Sequence, residues 1–211
     1  MAAQKLALIW LRRDLRLEDH AAIDRALALG YRLQFIFIFD TEILGRLKEK
    51  ADARVDFIHQ VLHDLNGRIA KLGGSLHVAH GRPHLIWPDL IEEFKPSQVF
   101  WCKDYEPQAI SRDVKISELL LKKGVLFEAL KDQVIFEEND VVKDDGTPYT
   151  VFTPYKKKWL KALKPSSYRS FTYKLKSGDI LPSQPRRLPS LSELGFKKTK
   201  IQFHSPNLDK K

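Results

Sequence analysis

The stretch LQFIFIFD, residues 33–40, holds only one polar residue, Gln34, before its terminal aspartate. A strand with one wet face alternates polar and apolar residues. An unbroken apolar run instead fits a strand covered on both faces, as in the middle of a parallel sheet. Comparable runs recur at Leu6–Leu11, Leu76–Ala79, Val99–Cys102 and Val125–Leu130, with Leu33–Phe39 as the second in order.

Helical patterns separate these runs. Asp19 is placed to cap a helix through Ala21, Ala22 and Ala26 that ends at Gly30. Between Ala51 and Leu72 a stripe of Ile58, Val61, Leu62, Leu65, Ile69 and Leu72 recurs at helical spacing, and Gly73-Gly74 stops it. Pro83 and Pro107 each suit a first helical position, the first helix running through Leu85, Ile86, Leu90 and Ile91. The second runs through Ile110, Val114 and Leu121 to Gly124. Strand and helix thus alternate over residues 1–132. The pattern predicts a doubly wound, Rossmann-like α/β fold, with a five-stranded parallel sheet of order 3-2-1-4-5 and helices on both faces.

After Leu130 the rhythm changes. Residues 133–164 read as a hairpin or ordered loop around Asp145-Gly146, then a helix capped by Thr153 with Pro154 first and Tyr155, Trp159, Leu160 and Leu163 on its apolar side. Residues 165–211, rich in Pro, Ser and Lys, read as a basic linker. The net charge of +9 is concentrated there: residues 150–211 carry 15 Lys and Arg against 3 Asp and Glu, while the first 149 carry 21 against 24. Such a tail either attracts nucleic acid and anionic surfaces or is simply solvated. The single cysteine, Cys102, excludes an internal disulfide and points to a reducing compartment, cytoplasmic or, in a eukaryote, nuclear. No run approaches the roughly 18 apolar residues of a membrane span.

In an open α/β sheet, ligands bind beyond the carboxyl ends of the strands. Here those segments supply Arg12, Arg13, Arg16, Asp40, Arg82, Lys103, Asp104 and Glu106, a mixed-charge rim suited to a small polar or heterocyclic ligand. The first turn is Arg-Arg-Asp where a dinucleotide site has G-x-G, and neither a Walker loop nor a G-x-S-x-G elbow occurs. His59 and His63 have the spacing of two metal ligands on one helix face, but no third ligand is evident. Cys102, at the end of an apolar run, reads as a buried residue rather than a nucleophile. The residues alone give a ligand-binding α/β domain of unknown ligand.

IWLRRDLRLEDHAAI, residues 9–23, resembles the N-terminal signature of the photolyase/cryptochrome family, W-x-R-x-D-L-R-x-x-D-N-x-A-L, with His20 in the place of the usual Asn. DYEPQAISRDVKI (104–116) and GTPYTVFTPYKKKWL (146–160) are similar to two further family segments, in the family's order. The resemblance implies the antenna half of a two-domain protein. In such proteins an α/β domain holds a light-collecting chromophore, and a helical domain, absent here, holds the FAD that repairs pyrimidine dimers in damaged DNA. It implies that this segment alone, ending in FHSPNLDKK, neither binds FAD nor repairs DNA, and that it is excised from a longer protein or is a short natural product. Asp14, Arg16 and Asp19 are then expected to pin the first loop, while the backbone around Arg12 faces a bound ring. Arg54 resembles the arginine beside a deazaflavin or flavin antenna. Asp104, Glu106 and Arg112 match polar positions near it, and Phe37 and Asp40 lie where ring contact is expected. Folate-binding members carry Asn-Glu where this chain has Gln108 and Ala109, which favours a deazaflavin or flavin over folate. A repair enzyme, a cryptochrome photoreceptor and a free-standing flavin- or nucleotide-binding module remain the three functional alternatives.

Overall fold

The structure, a computed structural model, describes residues 4–203. In chain order the elements are β1 (Leu6–Leu11), α1 (Ala21–Ala28), β2 (Arg32–Asp40), α2 (Thr41–Leu44), α3 (Ala53–Lys71), β3 (Leu76–Gly81), α4 (Pro83–Phe94), β4 (Gln98–Cys102), α5 (Pro107–Lys122), β5 (Leu126–Leu130) and α6 (Phe152–Ala162). The five strands are parallel and ordered β3-β2-β1-β4-β5, as the apolar runs predict. Among the described residues no helix is long and apolar enough to cross a membrane.

The continuous runs are continuous because each face has its own cover. Ile9, Phe35 and Phe37 point into a core shared with Ala22 and Ala26 of α1 and Leu62, Leu65 and Ile69 of α3. Leu8, Trp10, Ile36 and Trp101 point the other way, onto Trp87 and Leu90 of α4 and Ile116 and Leu120 of α5. Gln34, the polar interruption of the second run, is buried, with its Nε2 donating to the carbonyls of Phe35 and Ser75 at 2.9 Å each. Burying an amide is tolerable when its donors are matched in this way.

Three local expectations change. Asp19 does not cap α1: it turns the chain with a left-handed φ of 49°, and its carboxylate accepts from the backbone N–H of Phe171 at 2.7 Å. The N-cap residue is His20, and the carboxylate that meets the helix start comes from Asp132, accepting from Ala21 N–H at 3.1 Å. α6 starts before the expected Thr153 cap, with Val151 as its N-cap residue. Pro154 is then third in the helix, still within the first turn, where no intrahelical acceptor awaits its missing N–H. Around Asp145-Gly146 the chain makes a tight turn, Gly146 N–H to Lys143 O at 2.9 Å, without flanking strands.

The larger correction concerns the segment read as a linker. Residues 165–203 are not solvated chain but a strap laid over the α1/α3 face; residues 204–211 lie outside the described residues. Ile180 forms a parallel bridge to Leu33, and Leu181 N–H donates to Leu33 O at 2.8 Å. Ile180, Leu188, Leu194 and Phe196 are buried, at 1–5 % exposure. The strap comes so close at Gly74 that a Cβ there would stand 2.3 Å from Ile180 Cγ2, so the residue that ends α3's sequence pattern also makes room for the strap. Pro and Ser scatter the apolar residues at no helical or strand period, which hides them from a periodicity reading.

Candidate functional site

The rim forms where β1 and β4 end side by side. Past β1 the chain turns at Asp14, which is 3 % exposed, accepts from Arg12 N–H at 2.7 Å through Oδ1, and has His20 Nε2 2.9 Å from its Oδ2. Burial alone would push this carboxyl up. The close approach of His20 and the hydrogen bond from Arg12 N–H outweigh it and hold Asp14 well below the usual carboxylate range. Arg16 donates to Asp19 O at 2.7 Å and to Asp132 at 2.6 Å. Asp14, Arg16 and Asp19 are thus all engaged in fixing the loop after β1.

Arg12 is spent on architecture as well. Its Nη1 donates to both carboxylate oxygens of Asp113, at 2.6 and 2.7 Å, and its Nη2 to the carbonyl of Cys102. Arg112 shares the same carboxylate at 3.1 Å. The guanidinium carbons of Arg12 and Arg112 lie 5.0 and 5.1 Å from the Trp10 ring centroid. Burial, followed by the neighbouring charge of Arg12, lowers the pKa of Arg112 against the pull of Asp113 and Asp40. Trp10, Arg12, Arg112 and Asp113 therefore clamp β1 to α5. Asp113 was not singled out in the sequence; its signal was the Arg-Asp pair ending the Y-E-P segment.

The other expected residues are distributed along the rim. Asp40 ends β2 and caps α2, accepting from Glu42 N–H at 2.9 Å. Arg54 opens α3 with its side chain 73 % exposed, paired to the helix cap Asp52 at 2.6 Å. Asp104 and Glu106 lie 3.2 and 3.7 Å from Arg13. Phe37 is a core residue, edge-on to Phe39 with centroids 4.9 Å apart. The segments around 40–54 and 104–112 are joined by Arg46, which donates to Gln108 Oε1 at 2.5 Å. No hydrogen bond or ion pair joins Arg54 to Glu106 among the described residues.

Two cavities lie beside this rim. One, of about 360 Å³, is lined by residues of β4, β5, α5 and the loop 137–140, and of the expected residues Lys103 and Asp104 reach it. The other, of about 590 Å³, lies between Arg16, Asp132 and residues 166–172 of the strap.

His59 and His63 lie edge-on with ring centroids 4.6 Å apart, but His59 Nε2 is hydrogen-bonded with the Pro189 carbonyl at 2.9 Å, so one of the pair serves the strap. Among the described residues the trio that does bring ligand atoms together is buried: Asp14, His20 and Cys102, within 4.8 Å of one another. Burial, then the Asp14 and Asp132 charges, push the Cys102 thiol far up. A thiol so placed holds its proton and is no nucleophile. We expect a thiol-reactive dye to label the native chain at the rate of global unfolding and no faster. Labelling of the folded protein within seconds at pH 8, read by mass spectrometry, would contradict this burial.

The comparisons with known proteins bear on this geometry. The family model described as DNA photolyase matches residues 7–173, from β1 into the strap. The chain belongs to the DNA photolyase family. A deoxyribodipyrimidine photo-lyase of Synechococcus sp. is 30% identical over 197 residues, covering 90% of this chain and 40% of its own length. One from Halobacterium salinarum is 30% identical over 202 residues, covering 90% and 41%. The chain thus spans about two fifths of the photolyases it matches. Among solved structures, a class III photolyase from Agrobacterium tumefaciens superposes with a TM-score of 0.77 over 95% of this chain and 40% of its own, at 23% identity, a likeness of fold. An archaeal photolyase from Sulfolobus tokodaii, described with two FAD molecules and a novel light-harvesting cofactor, gives a TM-score of 0.55 at 29% identity over 64% of this chain and 32% of its own. Within the family the chain is an N-terminal α/β domain, and its clamp of Trp10, Arg12 and Asp113 is built largely from the segments that carried the resemblance.

Proposed function

We propose that this chain is the light-harvesting N-terminal domain of a deoxyribodipyrimidine photolyase. In the parent protein it passes excitation to an FAD held by a helical domain, which repairs pyrimidine dimers in damaged DNA. The reading rests on one observation: the family match runs through the whole α/β domain, while the chain spans about two fifths of the matching photolyases. Alone, the chain holds no FAD and repairs nothing. Its single cysteine fits a reducing, cytoplasmic setting.

The chromophore is a deazaflavin or a flavin, seated on the rim between residues 40–54 and 104–112. With Phe37 in the core and Arg12 and Arg112 in the clamp, the groups that reach a ring from these segments are Arg54, Asp40, Asp104 and Glu106. Folate is disfavoured because Gln108 is taken by Arg46 and Ala109, 7 % exposed, has no side-chain acceptor for a pterin N–H. Mixing the purified chain with a deazaflavin, FMN and a methenyl-folate, and recording absorption after gel filtration, tests this. Retention of deazaflavin or FMN is expected; selective retention of folate would overturn the assignment, and FAD-dependent repair under blue light by this chain would overturn the division of labour. A photoreceptor reading draws on the 28% identity to Cryptochrome-2 of Arabidopsis thaliana over 162 residues. A parent chain that binds FAD yet leaves dimers unrepaired would put that reading in place of ours.

A further inference from the structure

Three chemically different ligand groups meet beside the loop after β1. Asp14 belongs to that loop, His20 is the N-cap residue of α1 and Cys102 ends β4, so the trio joins three elements where β1 and β4 lie side by side. The three residues are 3, 0 and 1 % exposed, and one ligand atom from each lies within 4.8 Å of the other two. The Cys102 sulfur stands 3.8 and 4.0 Å from the two ring nitrogens of His20, and His20 Nε2 stands 2.9 Å from Asp14 Oδ2.

The Asp14 carboxylate is only half used. Its Oδ1 takes the Arg12 N–H, whereas Oδ2 is buried and has no hydrogen-bond partner among the described residues. Arg16 does not supply one, because its guanidinium is engaged by Asp132 and the Asp19 carbonyl. Among the described residues the hydrogen-bond contacts of the His20 ring nitrogens are with the Cys102 sulfur, a weak partner. A buried acceptor left unmatched is costly and uncommon, and such a group calls for an explanation. A single cation between the three side chains would satisfy the orphaned oxygen, a ring nitrogen and the sulfur together.

We propose that Asp14, His20 and Cys102 bind a zinc ion. A thiolate, an imidazole and one carboxylate oxygen form a mixed donor set that suits zinc, whereas calcium and magnesium take oxygens. Ligand atoms that share a tetrahedral zinc at 2.0–2.3 Å stand about 3.3–3.6 Å apart, so the observed spacings need adjustments of about half an ångström. The fourth position falls to a water. As the S–Zn bond forms, the thiol proton of Cys102 leaves to solvent. Thiolate and carboxylate then balance the two charges of the metal, so the filled site is neutral, as burial demands. The ion would tie the loop after β1 to α1 and β4 behind the rim. The site does not depend on which ring, if any, the rim holds.

Because the trio is closed off, the metal enters as the chain folds, and the test loads it there. The tag-free 211-residue chain is produced in medium supplemented with zinc or, in parallel, cobalt, and is then freed of loose metal by gel filtration. About one equivalent of zinc per chain is expected by plasma mass spectrometry, with a Tm roughly 5 °C above that of chain produced without added metal. The cobalt form should show a thiolate-to-cobalt charge-transfer band in the near ultraviolet, which ions held by surface histidines such as His59 and His63 cannot give. Cys102→Ala should abolish that band and the bound metal. His20→Asn, which restores the residue usual at this place in the family signature, should weaken retention at least about tenfold with the fold intact by circular dichroism. Zinc below about a tenth of an equivalent, a cobalt form without the charge-transfer band, or undiminished metal in either variant would overturn the proposal. The spectral signature needs no variant, so the test stands even if a substitution prevents folding.

Discussion

Asp14→Ala is expected to lower the stability of the domain by about 3 kcal/mol, the result of removing a buried carboxylate and leaving the groups beside it, His20 and Arg12 N–H, unmatched. In a chain of this size that corresponds to a fall of roughly 10 °C in Tm, read by circular dichroism or calorimetry. The effect is large because Asp14 serves two groups that have nowhere else to turn. His20 is fully buried, with its other neighbour the Cys102 sulfur at 3.8 Å, and Arg12 N–H sits at the point where β1 ends. The pH dependence follows from the lowered pKa. The unfolded carboxyl titrates near its ordinary 3.8, and the folded one well below. Between those values the unfolded chain binds the proton that the folded chain refuses. The stabilisation is therefore complete above about pH 5 and drains away as the pH falls through 4 and below. Asp14→Asn, which keeps the shape and removes the charge, should flatten that acid limb of the stability curve. An Asp14→Asn curve parallel to the wild type between pH 5 and 2 would show that the pair contributes nothing through ionisation.

The strands were legible in the sequence because burial on both faces leaves an unbroken apolar run, and no other element of an α/β domain writes itself so simply. Helix starts at Pro83 and Pro107 were legible for a local reason, since proline's fixed φ and missing N–H suit the first turn. Where the physics is not local the sequence is silent. The carboxylate at the start of α1 is supplied by Asp132, 111 residues away, while the adjacent Asp19 is diverted to the strap. Arg12 was expected to frame a ring, but its partner is Asp113, 101 residues on; the Arg-Asp pair ending the Y-E-P segment marks Asp113 without saying which residue it meets. Two orphaned donors show the same limit. Trp101 and Tyr105 stand in the plain run WCKDY, and only folding reveals that both donors are buried without acceptors.

Phe196→Ala is expected to cost about 3–5 kcal/mol, as for other large-to-small changes at buried aromatic positions. This is the sharpest test of the strap, because a phenylalanine in a solvated linker would be replaced within about 0.5 kcal/mol. Phe196 is 4 % exposed, with Lys50 Nζ 5.5 Å from its ring centroid, and its backbone N–H donates to Leu191 O at 2.8 Å. Immediately beyond it, Lys197 N–H donates to Lys50 O at 2.7 Å, and Asp56 at the start of α3 receives both the N–H and the hydroxyl of Thr199. Phe196 is thus the apolar anchor between two sets of backbone attachments. Removing it should free the chain from about Leu188 onward to open locally before the sheet does. Limited trypsin digestion reads this directly. Wild-type protein should resist cleavage at Arg186, Arg187 and Lys197, whereas the variant should be cut there while fragments containing the α/β sheet persist. Cleavage at those sites at equal rates in both proteins, with no change in Tm, would show that the strap does not depend on Phe196 and that its lysines are solvated as their composition suggests. The charge argument turns on the same result: if the strap is fastened, the positive charge of residues 150–203 is held as a fixed surface over one face of the domain rather than spread through a wandering tail.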